Sequence, residues 1–174
     1  MFAGHVGAAL AIGRVERRVN VGVFVAAALL LDIALWILVL LGFESVSVPA
    51  TFAGTHQADF GFPYSHGLLA SVAWSVIAGA AAFGWYARRP AFRWRATTLI
   101  AAAVFSHWLL DALVHHPELP LAGADSPVIG LDLWSHMPIA PAPPSAPAMA
   151  GSSLITIIAL CGLFCWFGGH VPRG

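Results

Sequence analysis

The segment Ser106-His107-x3-Asp111-x3-His115 places three groups able to ligate a metal at i, i+4 and i+8, one stripe along a helix. Two ligands four residues apart let one helix clamp a divalent ion. The carboxylate lowers the cost of burying the cation, and neutral imidazole supplies nitrogen. His116, Glu118 and His136 follow close behind. Three more ionisable residues lie in or beside apolar sequence: His5, Asp32 and His66. A carboxylate at the centre of a bilayer costs about 2.5–3.5 kcal/mol on insertion scales, so each such group needs a partner or a purpose. The same residues also admit structural roles. Asp32 could be a buried carboxyl paired with Arg or His, and His107 with Asp111 could be a hydrogen-bonded contact that joins helices. His115 and His116 could be solvated interfacial groups, and His56 and His170 suit a loop and a tail.

The elements that must position these residues are helices in a membrane. Of 174 residues, 59% are hydrophobic and 9% charged, with mean hydropathy +0.82, against roughly 25% charged in ordinary soluble domains. A hydrocarbon core of about 30 Å needs about 20 apolar residues per helix. Four stretches meet that length: 21–41, 67–87, 96–114 and about 153–168. The apolar run 2–13 is too short to cross alone and is expected to form a buried or re-entrant half-helix. The expectation is therefore an all-α, polytopic membrane bundle of about four transmembrane helices plus a short N-terminal helix, all one domain over residues 1–174. The run 141–149 is Pro-rich and is expected to be an extended tether into the last span. Cys161 and Cys165, four apart in the last apolar run, read as small core residues rather than a disulfide or a reactive pair. The seven tryptophans suit interfaces and helix packing.

Charge sets the orientation. All eight basic residues are Arg: Arg14, Arg17 and Arg18 before the first span, Arg88, Arg89, Arg93 and Arg95 between the second and third, and Arg173 after the fourth. With alternating spans all eight fall on one side, which the positive-inside rule makes the cytoplasm. The protein is expected in a bacterial inner membrane, with loops 44–65 and 115–150 on the outer face. No basic domain is present that could neutralise a run of phosphates, which argues against nucleic-acid binding. At about 1.5 Å per helical residue from the arginines, Asp32 lies at roughly 21 Å, His107 at roughly 18 Å, Asp111 at roughly 24 Å and His5 at roughly 13 Å. His66 opens the second span from the outer side, with Ser65 placed to cap that helix. Five polar groups from four segments could thus converge on one cavity.

Gly4-His5, then Leu29-Leu-Leu-Asp32, Tyr64-Ser-His66-Gly-Leu-Leu and Ser106-His107-Trp-Leu-Leu-Asp111 form a succession that resembles the YdjM-like family of LexA-regulated inner-membrane proteins, described as metal-dependent hydrolases. The likeness spans roughly residues 1–120. Carried over position by position, it implies His5, Asp32, His66, His107 and Asp111 as ligands. This chain departs from the family at Gly61-Phe-Pro-Tyr64, where the family block has His-Arg-Gly, so one His and one Arg are missing.

The function expected is a membrane-embedded hydrolase that uses a divalent ion, zinc by its His/Asp chemistry, to lower the pKa of water. Its metal ligands would come from His5, Asp32, His66, His107, Asp111 and His115, with Asp32 or Glu118 as general base. Because the site faces the outer leaflet, a lipid or lipid-linked phosphate is the expected substrate class. The competing expectation is a non-enzymatic membrane protein, such as a small permease, a metal or proton carrier, or an assembly factor. A permease needs a polar lining that continues to the cytoplasmic face, whereas a hydrolase needs a closed pocket.

Overall fold

The computed structural model describes residues 2–52, 58–133 and 161–166. Helix α1 (Phe2–Val15) is the short N-terminal apolar run, and it packs against α2 and α5. Asn20 then starts the next helix by capping it. Its side-chain oxygen accepts the Gly22 N–H at 2.8 Å, turning the chain out of the Arg-rich segment into α2 (Val21–Ala28). Helix α3 (Leu30–Leu40) follows across a 48° bend at Leu29.

The sequence predicts one span over 21–41, and no Pro or Gly marks a break near Leu29. A tertiary contact accounts for it: the Ala28 carbonyl, at the bend, accepts a hydrogen bond from His107 Nδ1 at 2.6 Å. Gly42, at φ +78°, ends α3 in the left-handed conformation that suits glycine, and the Phe43 N–H closes back on the Leu38 carbonyl at 2.9 Å.

Helices α4 (Leu68–Trp85) and α5 (Pro90–Val114) form an antiparallel hairpin. Tyr86 meets Phe92, Phe83 meets Trp94 with ring centroids 4.6 Å apart, and Gly79 lies against Ala101. Ser71, Ser75, Gly79 and Ala82 are the buried residues of α4, and their small size lets the two backbones approach. Pro90 occupies the first turn of α5, where its missing N–H costs nothing.

Two short antiparallel ribbons sit where α3 and α5 end and α4 begins. Ribbon β1 (Ser45–Ser47) pairs with β2 (Asp59–Gly61) in the register Val46↔Phe60, and β3 (Leu119–Pro120) pairs with β4 (Val128–Ile129). They are additions to a mostly helical molecule, too short to show as alternating sequence.

The opposite end gathers arginines. Buried Glu16 accepts from Arg18 at 2.7 Å and faces Arg95 at 3.5 Å, while Arg95 Nη2 donates to the Val15 carbonyl at 2.9 Å. The hydrogen bond from Arg18 holds the Glu16 carboxyl below its ordinary range. Arg18 also stacks on Phe92, 4.7 Å from the ring centroid. These contacts tie the α1–α2 link to the start of α5.

Helices α4 and α5 are each long and apolar enough to cross a membrane, and the bent pair α2 and α3 makes a third crossing if counted as one broken span. The tether 141–149 and most of the expected fourth span lie outside the described residues. Residues 161–166 are helical and dock on α2: Asn20 Nδ2 donates to the Cys165 carbonyl at 2.9 Å, and a Cβ at Gly22 would come within 2.4 Å of Cys165 N. Cys161 and Cys165 are both free thiols.

Candidate metal centre

Each member of the cluster arrives from a different local structure. His107 and Asp111 sit one turn apart on α5, both buried. Asp32 falls in the first turn of α3, just past the bend. His66 lies in the turn before α4, and His5 closes the first turn of α1, 1% exposed. The five residues, carried by three helices and a turn, meet at one point.

The distances describe a small cage. His66 Nε2 is 3.1 Å from His107 Nε2, and Asp111 Oδ2 is 3.1 Å from His107 Nε2 and 3.6 Å from His66 Nε2. Asp32 Oδ1 is 3.6 Å from His107 Nε2 and 3.8 Å from His66 Nε2. These five separations bracket the edge of about 3.3–3.4 Å that a tetrahedron has when its metal–ligand bonds are about 2.0–2.1 Å. His5 stacks flat on His107 at 3.7 Å between centroids and puts its Nε2 3.1 Å from Asp111 Oδ1. Two triads have ligand atoms close enough to share an ion: His66, His107 and Asp111, and His5, Asp32 and His107.

Hydrogen bonds fix which ring nitrogens face the cage. A carbonyl can only accept, so His107 Nδ1 carries the proton toward Ala28 and a neutral ring presents the Nε2 lone pair. At His66, Nδ1 meets Ser65 Oγ at 2.8 Å, and Ser65 Oγ in turn meets Glu44 Oε2 at 2.8 Å. Glu44 Oε1 accepts the backbone N–H groups of Tyr64 and Ser65, each at 2.8 Å. Three donors aimed at one carboxyl suit its ionised form. The Ser65 proton then goes to Glu44 and the Ser65 oxygen accepts from His66 Nδ1, leaving the His66 Nε2 lone pair to the cage. Burial pushes the Glu44 carboxyl up, and the hydrogen bonds from Ser65 and Tyr64 pull it back.

With both rings neutral and protonated on Nδ1, the two Nε2 lone pairs 3.1 Å apart beside two carboxylates repel unless a cation lies between them. Two carboxylates with neutral imidazoles carry two negative charges, which one divalent ion cancels. No Lys or Arg side chain can stand in for it, because the sequence has no Lys, and no Arg falls between Arg18 and Arg88 or between Arg95 and Arg173. The donor set of His66, His107 and Asp111, two nitrogens and a carboxylate oxygen 3.1–3.6 Å apart, fits zinc or a similar divalent ion.

Two residues expected in the site stand one step outside it. His115 directs Nδ1 to Glu118 Oε1 at 2.5 Å and keeps Nε2 3.8 Å from Asp111 Oδ1. Glu118 also receives the Phe60 N–H at 3.1 Å and lies 3.3 Å from His116 Nε2. His115, held by Glu118, thus faces Asp111 without a hydrogen bond to it. His56 and His136 lie outside the described residues. Ser65 does not cap α4, whose N-cap is Gly67 with no side-chain bond. The residue that sequence reasoning missed is Glu44: it stands 21 positions before Ser65, and no local pattern links the two. Comparison with protein-family models, with curated proteins and with solved structures found no match for this chain.

Proposed function

We propose that this protein is a membrane-embedded, metal-dependent hydrolase whose site lies at the end of the bundle away from the arginines, in the outer-leaflet half of a bacterial inner membrane. The carrying observation is the convergence of the Nε2 atoms of His66 and His107, 3.1 Å apart and flanked by Asp111 and Asp32. In this reading His66, His107 and Asp111 hold the ion. His5, stacked on His107 and bonded to Asp111, keeps both in place. When bound, a divalent ion at such a site supplies Lewis acidity and lowers the pKa of water.

The chain's own part is positional. Asp32 has a 21% exposed side chain, against 5% or less for His5, His66, His107 and Asp111, so it borders the accessible side of the cage and is the group placed to take a proton. Glu118, already bonded to the Phe60 N–H and His115 Nδ1 and beside His116, is less suited to that task than the sequence suggests. The likeness of the Leu29–Asp32, Tyr64–Leu69 and Ser106–Asp111 blocks to the YdjM-like family agrees with this reading.

Packing between the site and the arginine end weighs against a conducting path. Phe24, Val25, Ala96, Ile100, Ala103 and Val104 are buried there. The cavity of about 360 Å³ in the same half is lined by Val23, Ala27, Leu30, Ala82 and Ile100 among others, with Trp85 and Tyr86 at its wall. Among the described residues, Ser75 and the hydroxyl of Thr97 are the buried polar groups of α4 and α5 in that stretch, too few to line a continuous path for an ion or proton. An outer-leaflet position makes a lipid or lipid-linked phosphate ester the substrate class. The test is hydrolysis of short-chain phosphatidic acid and of a phosphodiester lipid in mixed micelles, by protein purified with zinc. Turnover that disappears in Asp32→Asn and with chelator, and returns with zinc, supports the proposal. Zinc-loaded protein that cleaves neither lipid but carries zinc across vesicle membranes would replace it with the permease reading.

A further inference from the structure

We infer that Glu44 is a positioning residue for the metal centre, acting through Ser65 to hold His66 in the tautomer that can bind an ion. Glu44 is 6% exposed, Ser65 is fully buried and His66 is 3% exposed, so water does not compete for the bonds between them. The polarity of the relay follows from counting protons. Glu44 Oε1 is occupied by two backbone N–H groups and can only accept from them; Oε2 takes the single hydroxyl proton of Ser65. Ser65 Oγ therefore has only lone pairs left for His66 Nδ1, 2.8 Å away. The proton of a neutral His66 is thereby held on Nδ1, and Nε2 is bare where His107 and Asp111 converge. Outer partners of this kind raise the basicity of a ligating imidazole and fix its orientation.

The relay also explains how a ligand outside any helix is held. His66 precedes the first residue of α4, and Glu44 follows the end of α3, so the contact pins that turn to the helix that carries Asp32.

Reversing the relay is the decisive perturbation. In Glu44→Gln the backbone N–H groups still require an oxygen, so the amide oxygen takes them and the amide NH2 points at Ser65. Ser65 must then turn its own proton toward His66 Nδ1, and the His66 proton moves to Nε2, where the ion would sit. Ser65→Ala removes the link without reversing it, and Ser65→Thr keeps the hydroxyl.

The experiment has two arms on the full chain in detergent. Nitrogen-15 NMR of the His66 ring in chelator-treated protein reads the tautomer without any metal. The expected result is Nδ1–H in wild type and Ser65→Thr, a shift to Nε2–H in Glu44→Gln, and a mixture in Ser65→Ala. Chelator competition with zinc alone reads the consequence: affinity weaker by about 10–100-fold in Glu44→Gln, weaker by less in Ser65→Ala, and restored in Ser65→Thr. A wild-type His66 that carries its proton on Nε2, or a tautomer that Glu44→Gln leaves unmoved, overturns the inference. Because the binding arm alone rests on the metal reading, absence of zinc binding by wild type refutes that reading and leaves the tautomer arm to decide the role of Glu44. Loss of thermal stability in the variants, with tautomer and affinity unchanged, would show Glu44 to be merely a structural tie and so refute positioning.

Discussion

Replacing Asp111 by Asn keeps the shape of the side chain and removes its charge, and its effect on stability should be small without metal and large with it. Asp32 and Asp111 each place an oxygen near His107 Nε2, at 3.6 and 3.1 Å, so those oxygens lie within about 7 Å of each other. At an effective dielectric of about 20, two unit charges at that separation repel by about 2.5 kcal/mol. Without an ion, Asp111→Asn relieves this repulsion and weakens the charge-assisted bond from His5 at 3.1 Å, a loss of about 1.5–3 kcal/mol. The two nearly cancel, so in chelator the variant should melt within a few degrees of wild type. With zinc at about 1,000 times the wild-type dissociation constant, binding adds about 4 kcal/mol to wild type, and a variant bound about 1,000-fold more weakly gains only about 0.4 kcal/mol. The assay is thermal unfolding in detergent, with and without zinc, alongside chelator competition. If Asp111→Asn is destabilised by several kcal/mol in chelator and zinc stabilises neither protein, then Asp111 is a structural acceptor for the surrounding histidines and the cation argument fails.

Asp32→Asn should abolish hydrolysis while lowering zinc affinity less than Asp111→Asn does; equal loss of binding in both would make Asp32 a ligand rather than the base. At the arginine end, Glu16 has a depressed pKa, so its contribution to stability is full above the ordinary carboxylate value and is lost as pH falls through the lower folded value. Wild type should therefore lose about 1–2 kcal/mol more than Glu16→Gln between pH 6 and about pH 3, and parallel melting profiles for the two proteins over that range would refute the Arg18–Glu16 clamp. A Cβ at Gly22 would meet Cys165 N at 2.4 Å, so Gly22→Ala should cost about 1–3 kcal/mol through overpacking; an unchanged melting temperature would show that residues 161–166 do not dock there.

Much of the site can be read from sequence because helical periodicity is a local property. His107 and Asp111 declare a shared face through their four-residue spacing, and the rarity of charge in apolar runs singles out His5 and Asp32. The bend at Leu29 is hidden, because Ala26-Ala-Ala-Leu-Leu-Leu31 reads as uninterrupted helix and the contact that stabilises the break comes from His107, 79 positions later. Glu44 is hidden for the same reason: a loop carboxylate has no signature until tertiary structure turns it toward Ser65. Ser65 misleads as a cap since Ser before an apolar run is the usual cap pattern, whereas its hydroxyl is committed to Glu44 and His66. The ribbons β1–β2 and β3–β4 are two or three residues per strand, below the length at which alternation carries information.

The central claim is that a divalent cation belongs between His66, His107 and Asp111. Elemental analysis of the full chain, purified from cells grown with zinc and washed free of loosely held metal, tests it most directly, with His107→Ala as the paired control. The account predicts about one divalent ion per chain in wild type and a loss of it in His107→Ala. Folded wild-type protein that holds no ion after zinc is supplied, or a His107→Ala variant that holds as much as wild type, would contradict it.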